Sequence, residues 1–92
     1  MHRVLISDQV AAFVRRQPPE RKKVLRAGLD ALAQGKGDIL PLEENLAGFW
    51  RLRVGRFRIV FDYEDSTTIR CLFIEERRLV YEVFAAMLKE RL

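Results

Sequence analysis

The stretch from Phe49 to Phe61 constrains this chain most, because its arginines alternate with apolar residues on both sides of a glycine. The segment has the sequence FWRLRVGRFRIVF. A two-residue turn at Gly55-Arg56, with glycine in the first central position as type II′ hairpins prefer, joins two short strands. The cross-strand neighbours in that register are Val54 with Phe57, Arg53 with Arg58, and Leu52 with Ile59. The sequence therefore predicts a β-hairpin with a defined pairing.

The two faces of this hairpin differ in chemistry, because successive side chains of a strand point to opposite sides. The apolar face carries Trp50, Leu52, Val54, Phe57, Ile59 and Phe61 and must face the core. The other face carries Arg51, Arg53 and Arg58. Like charges opposite one another destabilise a hairpin, so this face is expected to bind an anion, with phosphate the obvious candidate. The alternative is a solvated face with salt bridges to Asp62 or to the Glu43-Glu44 loop.

The size and charge of the chain favour one small domain with an anionic partner. With 92 residues, 49% of them hydrophobic, the chain is expected to fold as a single domain over residues 1–92. Its net charge of +4 favours polyanions. A lone cysteine, Cys71, permits no internal disulfide, and neither a signal peptide nor a membrane-spanning run is evident. We therefore expect a cytoplasmic protein without a membrane partner.

Hydrophobic periodicity and turn residues predict an α+β domain. In chain order it has an N-terminal strand, a helical hairpin, a three-stranded antiparallel meander and a short C-terminal helix, with the helices on one face of the sheet. Ser7 and Asp8 are predicted to cap the first helix, Pro19 to open the second and Gly35 to end it. The predicted strands are His2–Ile6, Gly48–Val54, Phe57–Tyr63 and Thr67–Ile74, the helices lie within 9–16, 20–34 and 82–91, and residues 35–47 form a loop with a short turn.

Metal and cofactor motifs are missing from the sequence. There is no C-x-x-C pair, no pair of histidines at ligand spacing and no glycine-rich phosphate loop in the required context. We therefore expect neither a metal site nor a cofactor.

The hairpin and its surroundings resemble a known family. The pattern L-x-G-F-W-R-L-R-V-G-R-F-R-I-V-F, then an isoleucine-containing strand and R-R-x-V-Y, runs from Leu46 to Tyr81 and is similar to the RelE/ParE superfamily of bacterial toxins from toxin–antitoxin modules. The preceding strand–helix–helix order fits as well. The resemblance implies a RelE-like fold and a cognate antitoxin. Members like RelE cut messenger RNA on the ribosome, whereas members like ParE act on DNA gyrase, and the fold does not choose between them.

The resemblance also implies site residues. Those expected to be catalytic are Arg53, Arg58, Arg78 and Tyr81, and those expected to bind RNA phosphate are Arg51, Arg56 and Arg77. Positions 51 and 53 carry lysine in well-known nuclease members. Since arginine stays charged where a lysine can lose its proton, neither Arg51 nor Arg53 is suited to act as a general base.

Tyr81 is the leading candidate for proton transfer. A surrounding cationic cluster is expected to favour its phenolate form. The alternative is that its ring stacks on an RNA base and positions the substrate. If neither role suffices, water or a ribosomal RNA group would accept the proton.

Two other surfaces are candidates for contacts with partners. Arg15, Arg16, Lys22, Lys23 and Arg26 cluster on the helical hairpin and either bind ribosomal RNA or form an ordinary solvated helix face. Phe84, Met87 and Leu88 on the C-terminal helix either receive an antitoxin helix or close the core of the domain.

Taken together, the arginine-bearing face and the resemblance to RelE-like members imply a ribosome-dependent endoribonuclease. Such an enzyme would cleave messenger RNA without a metal, by attack of a 2′-hydroxyl on the adjacent phosphate, and an antitoxin would hold it inactive. The alternatives are a toxin that binds DNA gyrase and a binding module without catalysis.

Overall fold

The predicted α+β class is confirmed by a computed structural model that describes residues 1–76 and 79–91. That part of the chain contains β1 (Arg3–Ile6), α1 (Asp8–Arg15), α2 (Pro19–Ala33), β2 (Asp38–Pro41), a 3₁₀ turn (Glu44–Leu46), β3 (Trp50–Val54), β4 (Phe57–Tyr63), β5 (Thr68–Glu76) and α3 (Leu79–Arg91). The strands form one sheet in the order β1-β5-β4-β3-β2, in which β1 runs parallel to β5 and the other pairs are antiparallel. None of the described helices is long and apolar enough to cross a bilayer.

The helix boundaries follow from the residues predicted to set them. The Ser7 hydroxyl accepts a hydrogen bond from the Val10 amide at 3.2 Å and caps α1. Pro19 occupies the first turn of α2, where its missing N–H costs no hydrogen bond. Just after α2, Gly35 has a φ of 73° and donates its amide to the Leu32 carbonyl. These three predictions are confirmed.

The β3–β4 hairpin has the predicted turn and register. Gly55 has a φ of 58°, and Arg56 is not among the described residues with positive φ. This pattern distinguishes a type II′ turn from type I′, which needs positive φ at both central positions. Arg53 pairs with Arg58, and Leu52 pairs with Ile59. The hairpin therefore places three arginines on one face of the sheet, as expected.

Helices α1 and α2 cover the face of the sheet opposite the arginines. The main core between them consists of Val10, Phe13, Leu25, Leu32, Leu52, Phe57, Ile59, Phe61, Ile69, Cys71 and Ile74. Trp50 and Val54 pack against its edge. The apolar face predicted for the hairpin is thus the floor of the main core.

A bulge in β5 changes which side chains face the main core. Val60 pairs with Phe73 but Phe61 pairs with Cys71, so Leu72 is the extra residue. Cys71 remains in the main core with Ile69, whereas Phe73 turns to the opposite face. Strict alternation along β5 would place Cys71 and Phe73 on one face; the bulge separates them, and Cys71 is buried in the main core.

The expectation that all helices lie on one face is also wrong, because α3 covers part of the arginine-bearing face. The bulge and β4 give that face an apolar end, which needs cover of its own. A second buried cluster there consists of Leu46, Val60, Phe73, Val80 and Phe84. Phe84 is 4% exposed and packs edge-on against Phe49, with ring centroids 5.0 Å apart. Of the two roles considered for Phe84, the structure supports closure of the core.

The segment predicted as a loop contains a strand. Residues Asp38–Pro41 form β2, which pairs with β3 so that Asp38 lies beside Arg53 and Leu40 beside Arg51. With four residues and a terminal proline, the segment shows no readable alternation, and only pairing with β3 defines it. The short turn predicted within this region is present as the 3₁₀ turn.

We predict that Gly28→Ala destabilises the domain. A Cβ at position 28 would lie 2.6 Å from Cγ2 of Val54, whose branched side chain has little freedom to move away. The expected loss in free energy of unfolding is about 1–3 kcal/mol, measured by urea denaturation. In a Val54→Ala background the same substitution should be neutral or stabilising, since alanine favours a helix over glycine by about 1 kcal/mol. Equal losses in both backgrounds would contradict this packing argument.

Candidate functional site

An open groove of about 580 Å³ lies on the arginine-bearing face, where β2, β3 and β4 pass the first turn of α3. We call it the arginine groove. Its polar lining residues are Asp38, Arg51, Arg53, Arg58 and Tyr81, and its apolar lining residues are Leu40, Pro41 and Leu42. The structure thus brings together four residues predicted for the site, namely Arg51, Arg53, Arg58 and Tyr81.

Two of the arginines keep their charge available to a ligand. Arg53 is exposed, and Arg58 is half-buried with its Nη1 donating to the carbonyls of Gly55 at 3.1 Å and Phe57 at 3.2 Å. In the described part of the chain, neither guanidinium has an acidic partner within 4.0 Å. Their mutual repulsion across the strands is therefore not offset within the described residues, so an anion placed between them would be stabilised.

Arg51 makes the one ion pair found among the described residues of this groove. Its Nη2 donates to Oδ1 of Asp38 at 3.1 Å. The Arg51 side chain is 11% exposed and the Asp38 side chain 53% exposed. The largely buried Arg51 side chain is thus held in place by this contact, while the Asp38 carboxylate still contacts solvent.

Nearby acids are engaged elsewhere and do not neutralise Arg58. Asp62, considered as a salt-bridge partner for the hairpin arginines, instead accepts from Nε and Nη2 of Arg70 at 2.9 and 2.6 Å. Glu75 lies opposite Arg58 in the sheet, yet its Oε1 accepts from the Glu76 amide at 3.2 Å. These contacts explain how a cationic groove persists on a sheet face that also carries carboxylates.

Tyr81 lies in the first turn of α3, because this helix begins at Leu79 and not within the predicted range 82–91. Burial raises the pKa of its phenol above the ordinary value, which outweighs the lowering by Arg51 and Arg58, and Asp38 raises the pKa further. The two arginines act in the expected direction, but the expected net lowering of the Tyr81 pKa is wrong because burial outweighs them. At neutral pH Tyr81 is a neutral phenol and a hydrogen-bond donor.

Other predicted site residues do not share the arginine groove. Arg56 is exposed at the hairpin turn, and its Nη1 lies 4.0 Å from Oε2 of Glu76, on the side facing α2. Arg77 and Arg78 fall outside the described residues. The basic residues of the helical hairpin lie on the far side of the sheet, and three of them line a separate groove of about 640 Å³ with Asp30: Lys22, Lys23 and Arg26.

Sequence reasoning missed Asp38 as a residue of the site. Nothing in the run G-K-G-D-I-L-P marks this carboxylate as functional, because its place depends on the pairing of β2 with β3. A prediction of β2 as an edge strand beside the arginine-bearing strand would have been the signal needed.

Thiol and metal chemistry have no evident place among the described residues. Burial, and to a lesser degree the charge of Asp62, raises the pKa of Cys71 to about 12, so its thiol is not a nucleophile at neutral pH. In the ranges 1–76 and 79–91, no three histidine, cysteine, aspartate or glutamate side chains are grouped as metal ligands.

This architecture is that of a small α+β domain with a cationic groove on its sheet, and solved structures show which fold it is. No family model and no curated protein matches the sequence. The RelBE2 toxin–antitoxin complex of Mycobacterium tuberculosis matches with a TM-score of 0.67 and 23% identity over 83% of this chain and 98% of that chain. The RelB-RelE complex of Methanococcus jannaschii matches with a TM-score of 0.66 and 19% sequence identity, over 87% of this chain and 98% of that chain. YafQ from E. coli matches with a TM-score of 0.62 and 13% sequence identity, over 88% of this chain and 99% of that chain. The chain therefore has the RelE-like toxin fold, as the sequence resemblance predicted.

We predict that the pKa of Tyr81 rises further in Arg51→Ala, because the Arg51 charge lowers it in the native groove. Asp38→Asn should shift it the other way. The measurement is a titration of the tyrosine ring carbons by NMR, with Tyr63→Phe used to assign the two tyrosines. Because folding raises the pKa of Tyr81, its contribution to stability is complete below the pKa of the unfolded chain and is lost as pH rises through the folded value. A Tyr81 pKa insensitive to both variants would contradict the described geometry.

Proposed function

We propose that this protein is the toxin of a toxin–antitoxin pair and an endoribonuclease that cleaves messenger RNA on the ribosome. The observation that carries the proposal is the shared groove of Arg51, Arg53, Arg58 and Tyr81. Support for the toxin role comes from the fold, since RelBE2 and YafQ are solved neighbours of this chain. The partners proposed on this basis are a cognate antitoxin, the ribosome and messenger RNA.

The arginine groove has the chemistry that RNA cleavage by an internal hydroxyl requires. The 2′-oxygen must approach phosphorus in line with the leaving 5′-oxygen, and negative charge then builds up on the phosphoryl oxygens. Guanidinium groups orient a phosphate through paired hydrogen bonds and stabilise that added charge. Arg53 and Arg58, which have no acidic partner within 4.0 Å among the described residues, are the groups we assign to the reacting phosphate. Arg51, already tied to Asp38, is assigned to binding.

Tyr81 acts in this scheme as a protonated group. Its raised pKa keeps the phenol neutral, so it can donate a proton to the leaving 5′-oxygen or a hydrogen bond to the phosphate. Stacking of its ring on a base is the alternative role. Proton donation requires the hydroxyl, whereas stacking requires only the ring, so removal of the hydroxyl distinguishes the two roles.

Antitoxin binding is proposed at a second groove of about 330 Å³ between α3 and the sheet. Phe49, Phe84, Met87 and Leu88 give it an apolar wall, and Asp62 and Arg70 a polar one. Met87 and Leu88 are half-buried and present apolar surface to this groove, whereas Phe84 is largely taken up by the core. An amphipathic segment of the antitoxin is the kind of partner that such a surface accepts.

A toxin that acts on DNA gyrase is the second candidate. One solved neighbour is the YoeB/ParE toxin from Agrobacterium tumefaciens, with a TM-score of 0.55 and 17% identity over 84% of this chain and 99% of that chain. Arginine at both strand positions that carry lysine in well-known nucleases also leaves this candidate open.

We predict that Arg58→Ala lowers messenger cleavage by on the order of 10²-fold or more, since it removes a donor to the reacting phosphate. Tyr81→Phe should cause a loss of roughly 10²-fold or more if the hydroxyl transfers a proton, while retaining the ring that packs against the second cluster. The measurement is mapping of messenger ends after translation with and without ribosomes.

The matched control is Arg70→Ala, which removes an arginine from the same sheet face but outside the arginine groove. It should retain cleavage. Full cleavage by Arg58→Ala would contradict the assignment of the reacting phosphate to the arginine groove. An intact messenger together with inhibited DNA supercoiling would favour the gyrase candidate instead.

The basic face of the helical hairpin is proposed to bind ribosomal RNA, through Lys22, Lys23 and Arg26 with Arg15 and Arg16 nearby. Replacing Lys22, Lys23 and Arg26 by glutamine should weaken ribosome binding and lower the slope of log affinity against log salt by up to about 2, if each contacts one single-strand phosphate. Replacing the exposed Arg3, Lys36 and Lys89 by glutamine removes the same number of charges elsewhere and is the control for net charge. Equal effects of both sets would show a general charge effect and contradict a defined contact surface.

A further inference from the structure

The arginine groove needs a group that accepts the proton of the attacking 2′-hydroxyl. Its arginines stay protonated and cannot do so. The phenol of Tyr81 is neutral at neutral pH and already carries a proton. Among the described polar residues of the groove, Asp38 is the remaining side chain with an oxygen able to accept one.

The position of Asp38 suits that task. Strand β2 places it directly beside Arg53 on β3, and Arg53 in turn lies opposite Arg58 on β4. Asp38 therefore forms one end of a row that crosses three strands through both of the arginines assigned to the reacting phosphate. A phosphate held by Arg53 and Arg58 would bring its neighbouring ribose toward one end of that row.

The contacts of Asp38 fix its direction while leaving one oxygen free for substrate. Oδ1 accepts from Arg51 at 3.1 Å, and Oδ2 has no hydrogen-bond partner within the described ranges. The Asp38 side chain is 53% exposed, so its carboxylate remains accessible to a substrate while it pairs with Arg51. Arg51 is the more buried partner of this pair, with an exposed side-chain fraction of 11%, and it acts as the anchor.

We propose that Asp38 is the general base of the reaction and Tyr81 its general acid, an inference that rests on the proposed nuclease function. Oδ2 of Asp38 takes the proton of the 2′-hydroxyl as the 2′-oxygen forms its bond to phosphorus. The bond from phosphorus to the 5′-oxygen breaks, and the Tyr81 phenol gives its proton to that oxygen. The products are a 2′,3′-cyclic phosphate and a 5′-hydroxyl, so no further reactant is needed. Proton return from the Asp38 carboxyl to the Tyr81 phenolate, through solvent, restores the enzyme.

A purely structural role for Asp38 is the competing explanation, because its carboxylate also holds Arg51. Asp38→Asn separates the two roles. Asparagine keeps the shape of the side chain and a carbonyl oxygen for Arg51, but it loses the basicity. The matched control is Asp62→Asn, which changes a carboxylate on the same sheet face that is tied to Arg70 outside the arginine groove.

The test measures single-turnover cleavage of a defined messenger on purified ribosomes across neutral and mildly alkaline pH. Asp38→Asn should lower the rate constant by roughly 10²- to 10⁴-fold, the usual range for loss of a general base. Its remaining rate should rise about tenfold per pH unit, because hydroxide must then take the proton, whereas the wild-type rate should change little. Binding to ribosomes carrying a messenger with a 2′-O-methyl group at the cleavage site should be unchanged or tighter, since a negative charge has been removed.

Each outcome decides the assignment. Cleavage by Asp38→Asn at the wild-type rate and with the wild-type pH profile would overturn Asp38 as the base and leave the nuclease function standing. A lower rate that keeps the flat pH profile and is accompanied by weaker binding would also overturn it, in favour of the structural role. If the wild-type chain does not cut, both the nuclease function and the role of Asp38 are wrong.

Discussion

The structure depends on the register of the β3–β4 hairpin. Positive φ at Gly55 permits a two-residue turn whose twist matches the strands, and the apolar residues on either side must all face the main core. A shift by one residue would bury three arginines and expose six apolar side chains. That penalty holds Arg53 and Arg58 opposite each other, although their charges repel. The repulsion is tolerated because burial of the opposite face stabilises the pairing by more.

The bulge in β5 connects this hairpin to α3. By turning Phe73 away from the main core, it creates a second apolar surface beside the arginines, and α3 covers that surface with Val80 and Phe84. Because Tyr81 follows Val80 directly in the helix, anchoring of Val80 in this cluster brings the phenol to the arginine groove. The same packing buries part of Tyr81 and so keeps it protonated. Core formation on the second face thus sets both the place and the charge state of a site residue.

The distribution of the acidic side chains gives the arginine groove its charge. Asp62 is engaged by Arg70, and Glu76 lies between Arg21 and Arg56 on the other face. Of the acids on the meander and β2, Asp38 alone lines the arginine groove within the described ranges. The charge of the arginine groove therefore depends on where the acidic side chains lie and not on how many there are. For this reason the net charge of +4 says little about the site.

The sequence by itself determined the hairpin, the helix caps and the set of arginines on one face, because each depends on local chemistry: a glycine at positive φ, a serine at a helix start, and alternation along a strand. These features also carried the resemblance to the RelE/ParE superfamily, and the solved structures confirm the RelE-like fold that this resemblance implied. Tertiary structure decided the rest. Strand β2 is defined by its pairing with β3. The bulge turns the Phe73 side chain away from the main core, and α3 packs on the arginine-bearing face of the sheet. None of these leaves a local signal, since each depends on contacts between residues distant in the chain. For that reason Asp38 was missed, and the Tyr81 pKa was predicted to fall although burial raises it.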